Sequence, residues 1–151
     1  KRAAGLMPNG GSIVTLTYGG STKVMPNYNV MGVAKAALES SVRYLAMDYG
    51  LQNVRVNAIS AGAVRTLAGS GVPDARVMFN YQKQHSPLGR TVTIDEVGGS
   101  ALYLLSDLSS GVTGEVHFVD SGYNTVSMPR LDALKTQEAE AQAARHAHED
   151  V

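Results

Sequence analysis

The order in which hydrophobic patterns follow one another constrains this chain most. Ser12 to Tyr18 (SIVTLTY), Val54 to Ile59 (VRVNAI) and Glu115 to Val119 are short runs rich in β-branched residues, bounded by Gly, Asn or Ser. Such runs read as strands. Between the first two lies one long segment of helical periodicity, about Tyr28 to Tyr49, introduced by Pro26 and Asn27 and closed by Gly50. Between the last two lie a shorter helical segment, Asp74 to about Gln84, and a helix opened by Thr93-Ile94-Asp95-Glu96. That last tetrad has the form of a capping box, in which the Thr hydroxyl and the Glu carboxylate satisfy free amide donors at a helix start. The apolar residues after it, Val97, Ala101, Leu104, Leu105 and Leu108, fall on one helical face. Strands alternating with helices imply a parallel sheet with crossover helices. The fold class expected is α/β, the C-terminal half of a doubly wound Rossmann-type parallel sheet.

Half is the operative word. A complete doubly wound dinucleotide site has two βαβαβ units and a Gly-rich first turn for the pyrophosphate. No GxGxxG follows a strand here, and three strands make half such a sheet. An N-terminal partner half is therefore expected. Residues 1–128 read as the C-terminal half of the domain. From Arg130 onward only Leu131, Leu134 and Val151 are large and apolar, so 129–151 read as a polar tail, a frayed helix or disordered. The long helix is apolar or small nearly all round, and its far side is expected to meet another subunit.

Composition narrows the chemistry. Lys plus Arg number 13, as do Asp plus Glu, so no long-range field points to nucleic acid or an anionic membrane. With no cysteine, disulfides, thiolate zinc sites and thiol catalysis are excluded, which suits a cytoplasmic enzyme. No apolar run reaches the roughly 18 residues of a membrane span. His85 and His117 lack partners at ligand spacing, and His146 and His148 lie in the tail, so no metal site is expected.

Two residues stand out. Tyr28 and Lys35 lie seven apart, close to two helical turns, so their side chains share a face. A tyrosine beside an ammonium has its pKa lowered and can act as an acid or donor. The plainer reading is a solvated ladder, since Lys35, Glu39 and Arg43 follow at four-residue spacing. Lys35 sits among Gly32, Val33, Ala34, Ala36, Ala37 and Leu38. A lone lysine in such a stretch needs a partner, and a ribose would serve.

The runs PNYNVMGVAKAALESSVRYLA, VRVNAISAG, VRTLAGSG, RTVTIDEVG and GEVHFVDSG occur in unbroken order from about Gly11 to Met128. Together they resemble the bacterial NADH-dependent enoyl-acyl-carrier-protein reductases, a divergent branch of the short-chain dehydrogenases. The wider family places Lys four residues after its catalytic Tyr, and no tyrosine here has that spacing. The enoyl reductases have Tyr-(x)6-Lys with a second tyrosine ten residues earlier, matched by Tyr18, Tyr28 and Lys35. The resemblance implies reduction of a trans-2-enoyl thioester on acyl carrier protein by NADH, in type II fatty-acid synthesis, by a cytoplasmic homotetramer. It implies that Tyr28 hydrogen-bonds the thioester carbonyl and Lys35 the nicotinamide ribose. Tyr18 would flank the acyl group, with a part in proton donation. Ala61, Gly62, Val64 and Thr66 would contact the cofactor, and Met31, Ala68 and Met78 would line the acyl pocket beneath a lid from Leu67 to Phe79. Two departures stand out: Ala63 replaces the proline of the usual SAGP, and Ser121 replaces the first glycine of the usual VDGG. The rival readings are a carbonyl reductase of the wider short-chain family and a truncated, non-catalytic assembly partner.

Overall fold

The computed structural model describes residues 2–64 and 75–149. Its strands are β1 (Gly11–Thr17), β2 (Val54–Ala61) and β3 (Val116–Val119), and its helices are α1 (Asn29–Gly50), α2 (Ala75–His85), α3 (Ile94–Leu105) and α4 (Leu131–Glu149). The sheet runs β1-β2-β3, and both pairings are parallel. Gly11 pairs with Val54 and Thr17 with Ser60, so the carboxyl ends of β1 and β2 finish side by side.

Helices α1 and α3 sit on opposite faces of the sheet, and the pleat explains why. Val54, Val56 and Ala58 alternate along β2 and pack with Val42 and Ala46 of α1, all buried. Burying each valine contributes roughly 1.5 kcal/mol or more. The intervening residues Arg55, Asn57 and Ile59 turn to the other face, where the Arg55 guanidinium reaches the end of α3. It donates to the Leu104 and Ser106 carbonyls at 3.0 Å each and to Ser109 Oγ at 2.8 Å. A cation on the free carbonyls of a helix C-terminus both satisfies them and complements the helix dipole. At the other end of α3, Thr93 and Glu96 form the expected capping box, and Arg90 adds a two-pronged ion pair to Glu96 at 2.6 and 2.9 Å.

Local signals set the elements to within a residue or two, and two details differ from the periodicity. Leu108 lies past α3, in the 3-10 turn Asp107–Ser109, and both it and Leu105 are exposed while Leu104 is fully buried. On α1 the residue Glu39 is not part of a solvated ladder. It is 5% exposed, and its carboxylate accepts a 2.6 Å hydrogen bond from the Thr17 hydroxyl. The face of α1 away from the sheet carries exposed Val30, Val33, Tyr44 and Met47.

The segment after Met128 runs into helix α4, tied to the body at its start. Arg130 N–H donates to Nδ1 of the buried His85 at 3.1 Å, and Gln137 donates to Gln84 at 3.1 Å. No described helix is long and apolar enough to cross a membrane, and no group of three metal-binding side chains occurs among the described residues.

Candidate functional site

The site gathers where β1 and β2 end. Ligands of open α/β sheets bind outside the carboxyl ends of the strands, and a cleft there is lined by Tyr18, Lys23, Ser60, Gln82, Asp120 and Asn124, among others. Tyr18 follows the last residue of β1 in extended conformation and then the chain tightens into the 3-10 turn Gly19–Ser21. That turn brings the chain back over itself, and α1 begins with Tyr28 at its N-cap. The rings of Tyr18 and Tyr28 meet edge to face, with centroids 5.4 Å apart at 71°. This is the favoured geometry for an aromatic pair.

Two glycines make the approach possible. A Cβ on Gly20 would lie 2.6 Å from the Tyr28 ring, and one on Gly32 would lie 2.7 Å from the Gly20 carbonyl oxygen. Neither distance is compatible with any side chain, so the turn, the ring and the first turn of α1 are packed in contact. Gly62 has the same role beyond β2, where a Cβ would come within 2.9 Å of Asp120 Cα.

Lys35 lies one and a half turns into α1, half-buried, and does not address Tyr28. Its Nζ donates to the Leu16 carbonyl at 2.9 Å. The Gly11 N–H bonds to Asn53 of the neighbouring segment, so alternate residues of β1 turn toward β2 and Leu16 turns its carbonyl away, to the free edge. The lysine's partner in this chain is thus an edge carbonyl. An ammonium has three donors, and two remain for hydroxyls of a ligand. The tyrosines depart from expectation in the same way. Burial pushes the Tyr28 hydroxyl above its ordinary pKa, and no lysine among the described residues opposes the shift. Burial also raises Tyr18, a hydrogen bond from Gln82 partly counters it, and the neighbouring Tyr28 adds to the rise. Both phenols are firmly protonated, neutral donors at physiological pH.

Of the other expected contacts, Ala61 ends β2 and lines the cleft with Gly62, and Val64 follows, half-buried. Met31 is exposed on the first turn of α1, and Met78 is half-buried on α2. Thr66, Ala68 and most of the expected lid, up to Asp74, lie outside the described residues. Sequence reasoning passed over Gln82, which is 6% exposed and spans from Tyr18 to the backbone after β2. It also passed over the steric roles of Gly20 and Gly32. The pair Gly19-Gly20 directly after a strand was the available signal for those two, while Gln82, sixty-four residues from Tyr18, left none.

Parallel strands, helices on both faces and polar side chains gathered at the strands' carboxyl ends define a doubly wound α/β protein, seen through one half of its sheet. Residues 1–124 match the family model described as enoyl-(acyl carrier protein) reductase, and the chain belongs to that family. It is 70% identical over 140 residues to the protein named enoyl-[acyl-carrier-protein] reductase [NADH] 2 of Rhizobium meliloti, covering 93% of this chain and 52% of that protein. It is 58% identical to the corresponding NADH reductase of Rickettsia prowazekii, covering 87% of this chain and 50% of that one. Among solved structures, FabI from Candidatus Liberibacter asiaticus superposes with a TM-score of 0.83 at 62% identity, over 85% of this chain and 50% of that one. The enzyme of Anaplasma phagocytophilum, solved in complex with NAD, gives 0.81 at 56% identity, over 87% and 48%. The chain thus spans about half the length of the relatives it matches. These names do not favour a carbonyl reductase of the wider short-chain family.

Proposed function

We propose that this chain supplies the C-terminal, substrate-handling half of an NADH-dependent enoyl-acyl-carrier-protein reductase, completed by an N-terminal half like that of its relatives. The observation that carries the reading is the Tyr18–Tyr28 pair, edge to face at the carboxyl end of β1, with Lys35 on the helix that Tyr28 caps. NADH, when bound, supplies the hydride. The chain's own residues do the holding and the charge stabilisation. Tyr28 offers a neutral hydroxyl to the thioester oxygen, on which negative charge develops as the double bond is reduced. A fixed donor aimed at developing charge is often the largest electrostatic contribution to a rate. Because burial raises its pKa, Tyr28 keeps that proton across the physiological range. Lys35 fits a ribose with the two donors that Leu16 leaves it. Ala61, Gly62, Val64 and Thr66, at and beyond the end of β2, are the proposed backbone and side-chain contacts to the cofactor. Tyr18, Met31, Ala68 and Met78 are the proposed acyl contacts, under the lid of 67–79.

The same reading has an acyl-carrier-protein-linked substrate, a cytoplasmic location and a homotetramer. The exposed apolar residues of α1 support the last, since a patch of that kind marks a partner contact. The test uses a complemented protein, this chain preceded by the N-terminal half of the 70%-identical Rhizobium meliloti relative. Tyr28→Phe should lower its kcat on a trans-2-enoyl thioester about a hundredfold, a loss of about 3 kcal/mol, with NADH affinity nearly intact. Lys35→Ala should instead weaken NADH binding. Unchanged turnover in Tyr28→Phe removes that residue from the mechanism.

A further inference from the structure

Gln82 joins three parts of the site that are far apart in sequence. It projects from α2, its Nε2 donates to the Tyr18 hydroxyl oxygen at 3.0 Å, and its Oε1 accepts from the Ala63 N–H at 2.9 Å. We propose that Gln82 is the positioning residue of Tyr18, its amide clamped by the Ala63 N–H so that it donates to the phenolic oxygen and leaves the phenolic proton free for the cleft.

The direction of each bond follows from chemistry alone. A glutamine amide has one accepting end and one donating end. A backbone N–H can only donate, so the accepting end must face Ala63. The donating end then faces Tyr18, whose oxygen must accept. A phenol has a single proton, and an oxygen that accepts from Gln82 does not spend that proton on it. The clamp is shielded, since Gln82 is almost fully buried and water does not compete for the amide. Tyr28, edge-on to the same ring, restricts its swing. The residue at position 63 decides whether the clamp exists. A proline there, the usual residue of the family pattern, has no N–H. The glutamine oxygen would then lose the donor that orients it, and the amide could turn over.

This inference rests on the proposed function for its catalytic consequence but not for its geometry, and the experiment separates the two. The complemented protein is prepared as Gln82→Leu, Ala63→Pro, Tyr18→Phe and the double variant Tyr18→Phe/Gln82→Leu, with 13C-labelled tyrosine. Gln82→Leu should lower kcat about tenfold, the equivalent of one hydrogen bond, with the KM for NADH within about twofold. In the Tyr18→Phe background the same substitution should change kcat less than about twofold, because the residue acts through Tyr18. The alkaline titration of Tyr18 should move to higher pH in both Gln82→Leu and Ala63→Pro, since each removes or loosens the donor that favours the phenolate. Should Gln82→Leu fail to fold, Ala63→Pro carries the test, because it keeps the glutamine and removes only the orienting N–H. A Gln82→Leu effect undiminished in the Tyr18→Phe background, or a Tyr18 titration unmoved by either substitution, overturns the proposal. If no variant reduces an enoyl thioester, the functional reading fails, and the Tyr18 titration still decides whether Gln82 holds the phenol.

Discussion

Ser121 should be a site of stored instability, and Ser121→Gly should stabilise the protein. Its φ is +59°, in the left-handed region, which a side chain reaches at a cost of roughly 1–2 kcal/mol. The residue is 6% exposed, and its hydroxyl is buried with no hydrogen-bond partner among the described residues, a further penalty of roughly 1 kcal/mol or more. Glycine removes both. Against this stands the extra freedom that glycine gives the unfolded chain, roughly 0.5–1 kcal/mol. The net expectation is a gain of about 1–2 kcal/mol, which for a protein of this size or somewhat larger raises Tm by about 2–8 °C. Urea and thermal unfolding of the complemented protein, with and without the substitution, measure it. The urea slope should be unchanged, because the surface exposed on unfolding is the same. Unchanged or lower stability would refute the reasoning, and would mean that the serine makes a contact in solution that offsets both penalties. The carbonyl of Ser121 accepts from Leu88 N–H, and glycine keeps that bond.

Other consequences are equally direct. Arg55→Met should cost about 3 kcal/mol or more in unfolding experiments, because the half-buried guanidinium donates at once to the Leu104, Ser106 and Val112 carbonyls and to Ser109 Oγ, adding charge to the neutral hydroxyl bonds from Ser12 and Ser109; a loss below about 1 kcal/mol would show the brace to be dispensable. Arg90 holds the Glu96 carboxyl down to about 2, from an ordinary 4.5. A depressed carboxylate contributes stability that is complete above its unfolded pKa and is lost as pH falls through its folded one. The Arg90–Glu96 contribution should therefore disappear between about pH 4.5 and 2, and Glu96→Gln should flatten that part of the stability–pH curve; an identical acid limb in both proteins contradicts it.

What the sequence revealed follows from what is local. Strand and helix positions emerged because their causes lie within a few residues: β-branched runs ended by glycine, the Thr93–Glu96 box, the apolar stripe through Leu104. Tyr28 and Lys35 were visible through their spacing, and Tyr18 through the resemblance to the enoyl reductases. The contacts that decide their state were not. The spacing placed a positive charge beside Tyr28, but Lys35 turns to the Leu16 carbonyl, a group of an edge strand that only the assembled sheet brings within reach. Glu39 fell at ladder spacing with Lys35 and Arg43, yet it faces β1 and is buried against Thr17, because the helix rotates to place Val42 and Ala46 on β2. Gln82 is a polar residue on a short amphipathic helix, and nothing local marks it as the bridge between Tyr18 and Ala63. Ser121 is the opposite case. Its place in a motif that usually carries glycine was legible as a departure, and its positive φ is a backbone conformation that glycine adopts more readily.

We propose that these residues hold the catalytic pair but only part of the cofactor site. NADH titration of residues 1–151 alone and of the complemented protein, followed by fluorescence and by turnover of a trans-2-enoyl thioester, tests it most directly. The adenine and pyrophosphate contacts of a doubly wound fold come mainly from its first half. The chain alone should therefore bind NADH weakly and reduce nothing, while the complemented protein binds it stoichiometrically, turns over, and loses turnover in Tyr28→Phe. Tight, stoichiometric NADH binding by residues 1–151 alone, or a complemented protein that folds and binds NADH yet reduces no enoyl thioester, would contradict the account.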